Sequence, residues 1–244
     1  MKPRLILKRL KRKSKKIAKK LTFPLLIKIV PRKFKTIKWL TFFHFLFWSE
    51  LNHINRNGLT LALNALNTSP AIIVETGTSA WGTDSTRLWN SYVSSFGGNL
   101  YSVDIRPEPR EVLGNLGPFT KLFVDDSVNF LKNLHHHNVS KVDLVYLDSF
   151  DIDWQNPYPA MKHGLLEFEA IEKYLKPVSI IVIDDTPSSK IFIPEEAHEI
   201  VHKVKSEIGV VPGKGALVLS KIMLKPNNFK IIYHHYNLVF RVVS

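Results

Sequence analysis

Five apolar runs in this 244-residue chain each end in a carboxylate. AIIVE ends at Glu75, NLYSVDI carries Asp104, and TKLFVDD ends at Asp125 and Asp126. VDLVYLD ends at Asp148, and SIIVIDD ends at Asp184 and Asp185. A single Asp at such a place is ordinarily a helix cap. Five in succession bring like charges to one edge, which is costly unless cations or hydroxyl groups sit among them. Two ligands would relieve the repulsion. The first three ends suit a nucleoside, because Gly77 lets the backbone come close and Asp104 can accept from both ribose hydroxyls. The loop TGTSAWG has only Gly77 and Gly82 as glycines. It therefore lacks the G-x-G-x-x-G spacing that seats a pyrophosphate, and a nucleoside without a phosphate chain fits better. Asp148, Asp184 and Asp185 offer hard oxygen ligands of the kind Mg²⁺ takes, with water completing an octahedron.

The elements that must position these groups alternate regularly. Between the strand-like runs lie helical stretches at Thr83–Ser95, Ser127–His136 and Met161–Leu175. Near-continuous apolar strands alternating with helices predict an α/β domain, with a parallel sheet covered on both faces. Ahead of the first strand, LNHINRNGLTLALNALN has helical spacing and stops before Ser69-Pro70. Beyond the fifth, PEEAHEIVHKVKSEIG reads as a helix and FKIIYHHYNLVFRVV as one or two strands, while GKGALVLSKIML fits helix or strand equally. No repeat or linker calls for a second globular domain.

The chain is 45% hydrophobic, enough for one good-sized core, and has no cysteine, which excludes disulfides and thiolate metal sites. Its net charge of +13 is uneven: 16 Lys and Arg and no acid precede Trp39, and beyond Glu50 acids slightly outnumber bases. The expected organisation is a basic arm over 1–38, an aromatic-rich helical cap over 39–69 and a main domain over 70–244. The apolar run Trp39–Trp48 falls short of the roughly 20 residues that cross a bilayer, and nothing ahead of it resembles a signal peptide. Pro24 and Pro31 break any single helix there. Residues 1–48 suit an anionic membrane surface, and nucleic acid is the second partner such charge suggests. The expected location is cytoplasmic, with attachment to the inner face of a membrane as its extension.

In their order, VETGTSAWGTDS, YSVDI, VDDS, VYLDS and IIVIDD resemble the class I S-adenosylmethionine-dependent methyltransferases. More narrowly, they resemble the metal-dependent O-methyltransferases of antibiotic sugars (the macrocin and aminocoumarin type) and the cephalosporin-hydroxylase-like proteins related to them. The resemblance spans Ala71 to Asp185, roughly half the chain. It implies a Rossmann-like fold with a mostly parallel seven-stranded sheet, S-adenosylmethionine and Mg²⁺ as cofactors, and a sugar or glycan-like hydroxyl as acceptor. It places Glu75, Gly77, Thr78 and Ser79 near the methionine part of the cofactor, Asp104 on the ribose, and Asp126 and Ser127 beside the adenine. Asp148, Asp184 and Asp185 become metal ligands. The general base is left among Asp151, Asp153 and His163, because LDSFDIDW departs from the family's spacing. A histidine with an unperturbed pKa near 6.5 suits that task, and a helix-terminal hydrogen bond is its alternative.

Other signals carry less. NPYP at 156–159 comes too late after Asp148 to be the tetrad of base-modifying methyltransferases. Consecutive histidines at His135–His137 point in different directions, and His234 and His235 face opposite sides of a strand. PGKG at 212–215 lacks the spacing of a P-loop, although Lys214 is within reach of the cleft. Trp89 reads as core, and Trp81 as a wall of the cofactor site. A nucleic-acid-directed methyltransferase or binder held by the arm, a hydroxylase-like enzyme of the same fold, and an inactive relative are the rival functions.

Overall fold

A strand buried on both faces needs an apolar side chain at every position, and the quoted runs supply that. In the computed structural model, which describes residues 25–27, 29–31, 35–66, 68–80 and 82–244, they become five parallel strands. These are β1 (Ala71–Thr76), β2 (Gly98–Asp104), β3 (Thr120–Val124), β4 (Leu144–Leu147) and β5 (Ile180–Ile183). The tail contributes two more, β6 (Phe229–His234) and β7 (Leu238–Val242), as an antiparallel hairpin. The sheet has seven strands in the order β3-β2-β1-β4-β5-β7-β6, with β7 antiparallel to β5. This is the expected Rossmann-like arrangement. Most of the basic arm, and Trp81, lie outside the described residues, and with them the membrane and nucleic-acid expectations attached to the arm.

The helices in chain order are α1 (Ile37–Phe47), α2 (Arg56–Ala65), α3 (Ser85–Phe96), α4 (Glu108–Leu113) and α5 (Ser127–Lys132). They continue with α6 (Tyr158–Ile171), α7 (His198–Ile208) and α8 (Ala216–Met223). The ambiguous GKGALVLSKIML is therefore helical over most of its length. Two predicted helices are shorter in α geometry. The first turns begun at Ser127 give way to a 3₁₀ turn at Leu134–His137, and α6 passes into another at Glu172–Tyr174.

Alternation along each strand sorts the core into two layers. Ile73, Leu144, Tyr146, Ile180, Val182 and Val239 pack with Leu40 and Phe45 of α1, Leu59 and Leu63 of α2, and Leu88 and Trp89 of α3. Val74, Val145, Leu147, Ile181, Ile183 and Phe240 pack on the other face with Phe130, Phe168 and Leu219. The N-terminal cap helices thus share a core with the sheet rather than forming a separate layer. Among the described residues no helix is long and apolar enough to cross a membrane.

Candidate active site

Parallel strands β1 to β5 all deliver their carboxyl ends to one edge, and the strand order reverses between β1 and β4. Ligands of open α/β sheets bind at such a reversal. A cleft of about 140 Å³ lies there, lined by Gly77, Thr78 and Ser79 after β1, Asp104 and Arg106 after β2, and Asp148, Ser149 and Asp151 after β4. Acidic residues from separate strands therefore share one rim. Gly77 has φ +76°, and a Cβ on it would stand 2.3 Å from the Asp148 carbonyl oxygen, so only glycine lets the two strand ends abut. Larger hollows of about 540 and 550 Å³ sit away from this rim, beside α4, β3 and the outer side of α3.

Glu75 does not line the cleft. It points to the α3 side of β1, fully buried, and accepts hydrogen bonds of 2.6 Å from Ser85, Thr86 and Ser102. Thr86 Oγ1 also accepts from the Ser79 backbone N–H at 2.8 Å, and Thr78 Oγ1 lies 2.8 Å from Ser102 Oγ. Glu75 is thereby the hub that shapes the glycine loop from behind. Burial pushes its carboxyl up to about 7, against the pull of the three hydroxyls.

Asp104 sits at the rim, 5% exposed, and is held by Arg106. The Arg106 backbone N–H donates to Asp104 Oδ1 at 2.8 Å, and its guanidinium reaches Oδ1 at 3.2 Å and Oδ2 at 3.4 Å. Arg106 is missing from the sequence reading, although its position two residues after Asp104 was visible. Its side chain is 61% exposed, so solvent reaches most of it even while it pairs with Asp104. At about 140 Å³ the cleft is smaller than the roughly 300–1,000 Å³ that small-molecule sites usually enclose.

Asp126 is exposed and caps α5, accepting from the Asn129 N–H at 2.8 Å, the ordinary role for an Asp before a helix. Ser127 and Ser149 hydroxyls both lie 3.0 Å from His163 Nε2, and Ser149 donates to Glu167 Oε1 at 2.7 Å. Glu167 is buried and 3.7 Å from His163 Nε2. Its hydrogen bond raises the histidine pKa despite partial burial. His163 sits inside a polar cluster with Ser127, Ser149 and Glu167 and does not line the cleft. Asp153 is exposed and caps the turn at the Gln155 N–H, 2.9 Å away, outside the cleft lining. Of the three base candidates only Asp151 lines the cleft.

The expected metal ligands do not form a cation-binding set. Among the described residues no group of three or more His, Cys, Asp or Glu is disposed to hold a metal. Asp184 is closed off by donors: Tyr146 Oη at 2.6 Å, Asn55 Nδ2 at 2.8 Å, Asn237 Nδ2 at 2.7 Å and the Asp185 N–H at 2.9 Å. Asp148 and Asp185 face each other across the Lys214 ammonium, which lies 2.6 Å from Asp148 Oδ1 and 3.0 Å from Asp185 Oδ2. Tyr236 Oη donates to Asp185 Oδ1 at 2.6 Å. Burial would lower the Lys214 pKa, but Asp148, Asp185 and Asp184 outweigh it and raise it. Burial pushes the Asp148 carboxyl up to about 6, with Lys214 opposing. Mg²⁺ thus does not fit the residues as they stand, because their oxygens are already taken by fixed donors and one ammonium.

A doubly wound sheet closed by an antiparallel hairpin, with its cleft at the β1–β4 reversal, is the fold of the class I S-adenosylmethionine-dependent methyltransferases. MycE, a methyltransferase from the mycinamycin biosynthetic pathway solved in complex with Mg and SAH, is similar over 86% of this chain and 55% of its own, with a TM-score of 0.58 and 17% identity. This chain thus spans about half the length of MycE. CalS11, a TDP-rhamnose 3′-O-methyltransferase of calicheamicin biosynthesis, is similar over 92% of this chain and 93% of its own, with a TM-score of 0.52 and 13% identity. At these identities the likeness to the two solved methyltransferases is a likeness of fold. No protein-family model matches the chain, and no curated protein matches it in sequence.

Proposed function

We propose that the protein is an S-adenosylmethionine-dependent methyltransferase acting on a hydroxyl of a sugar or glycan-like molecule. The observation that carries this reading is the cleft itself. A glycine loop braced by Glu75 and a buried Asp104 meet at the strand reversal, in a fold shared with MycE, which binds SAH. The residues fit such a cofactor. Gly77 leaves the close backbone approach open, and Asp104 is a rim carboxylate that ribose hydroxyls can reach once Arg106 swings out. Thr78 and Ser79 line the cleft and offer donors and acceptors to the methionine part, and Ser127, at the start of α5, is the residue this reading puts nearest the adenine.

Bound there, S-adenosylmethionine supplies an electrophilic methyl group on a sulfonium. The chain's part would be to orient an acceptor hydroxyl toward that methyl and to take up the proton the hydroxyl loses. Asp151 is the residue we assign to the proton, since it is exposed at the cleft lip. The rim serines and threonines hold the ligands without competing for the methyl. Mg²⁺ has no part in this reading, because Lys214 already lies between Asp148 and Asp185. The test is to incubate the full chain with methyl-labelled S-adenosylmethionine and a panel of nucleotide-linked sugars, glycosides, amines and nucleic acids. Label recovered as a sugar O-methyl ether is the expected result. Label found only on amines or nucleic acid would contradict it.

A further inference from the structure

PGKG at 212–215 is not a P-loop, yet it is built with unusual care. Lys214 is 4% exposed, and three glycines fix its backbone. A Cβ on Gly213 would lie 2.5 Å from the Asp185 carbonyl oxygen, and one on Gly215 would lie 2.7 Å from Thr186 Oγ1. From beneath, a Cβ on Gly164 of α6 would lie 2.3 Å from the Lys214 carbonyl oxygen. The Lys214 N–H donates to the Asp185 carbonyl at 2.9 Å, and the Gly215 N–H donates to Thr186 Oγ1 at 2.9 Å. The side chain therefore starts from a seat that is rigid on three sides. Asp185 meets it from a left-handed backbone, φ +41°, a conformation that a non-glycine residue keeps only where the surroundings impose it.

We propose that Lys214 is the resident cation of this site: its ammonium fills the place between Asp148 and Asp185 that a dication would need, and the protein holds these carboxylates together without a divalent ion. This rests on the methyl-transfer reading only for its purpose. The geometry stands by itself. Two carboxylates delivered by adjacent strands need a positive charge between them. A dication using the same two oxygens would have to displace an ammonium at hydrogen-bond distance from both, and Asp184, already holding four donors, has no oxygen to turn toward it. Lys214 acts as a positioning residue. Its bond to Asp148 Oδ1 fixes a carboxylate on the cleft wall opposite Asp104.

The test uses Mn²⁺ as a paramagnetic probe on the full chain, read by electron paramagnetic resonance and by thermal melting. Wild type is expected to show no saturable site at millimolar Mn²⁺. Lys214→Ala, which uncovers the two carboxylates, is expected to gain one site, about tenfold or more tighter than any wild-type binding, and to melt higher with Mn²⁺ than without. Lys214→Arg keeps the charge and should behave as wild type. One saturable wild-type site that Asp185→Asn removes would overturn the proposal, as would equal Mn²⁺ binding by wild type and Lys214→Ala, or none by either. If Lys214→Ala does not fold, the wild-type and Asp185→Asn arms decide alone. SAH titrated calorimetrically into the same wild-type sample separates the two claims. Absent SAH binding removes the methyltransferase reading and leaves the Mn²⁺ result to judge the lysine.

Discussion

Glu75 shows how a residue's neighbours decide its role. A carboxylate at the end of β1 invites a ligand contact, but Ser85, Thr86 and Ser102 take both its oxygens inside the protein. Its carboxyl is raised from 4.5 to about 7 by burial, so the folded state holds this proton more tightly than the unfolded chain does. The stability it contributes is complete below pH 4.5 and is lost as pH rises through about 7. Glu75→Gln removes the titration. Between pH near 5 and pH near 8, wild type should therefore lose about 2 kcal/mol relative to Glu75→Gln in urea unfolding. Parallel pH profiles for the two proteins would mean that the three hydroxyls fully compensate the burial.

At the scale of elements, the N-terminal helices are tied to the strand-end rim by Asn55. It occupies the N-cap position of α2 but makes no capping bond, and its amide donates instead to Asp184, 129 residues later in the chain. Asn55→Ala should destabilise the protein by about 1–3 kcal/mol, measured by urea unfolding, because it strips a donor from a buried carboxyl group. A change under about 0.5 kcal/mol would show that Tyr146 and Asn237 suffice without it. This contact also marks the limit of what was legible beforehand. Strands β1 to β5 could be read because apolar runs with acidic ends are a local pattern, and burial on both faces requires it. The α8 segment could not, since eight apolar-rich residues fit either period. Asn55, Tyr146 and the adjacent pair Tyr236 and Asn237 reach Asp184 and Asp185 from three distant segments, and no spacing in the sequence announces such a meeting. Lys214 was visible as a reachable lysine, but its ion pairs depend on Gly213, Gly215 and Gly164 lying against backbone and hydroxyl atoms from other elements. The polar cluster of Ser127, Ser149, His163 and Glu167 was half visible, and Glu167 gave no signal beyond helical spacing from His163.

For the whole molecule, the decisive feature is that one edge of the sheet carries a cleft between two differently tuned acidic groups. On one side Asp104 is held by an exposed arginine. On the other, Asp148 is held by a buried lysine on a rigid seat. The exposed partner suits the side where the proposed cofactor would compete for Asp104, and the buried one suits a charge pair that stays in place. Two sheet faces, with α1, α2 and α3 on one and α5, α6 and α8 on the other, keep the edge in register. Isothermal calorimetry with S-adenosylhomocysteine on wild type and Asp104→Ala tests this account most directly. A single wild-type site, weakened about 10- to 100-fold by the substitution, is the expected result, the loss of a charged hydrogen-bond acceptor being worth about 1.5–3 kcal/mol. Equal affinity in the two proteins, or no heat in either, would contradict it.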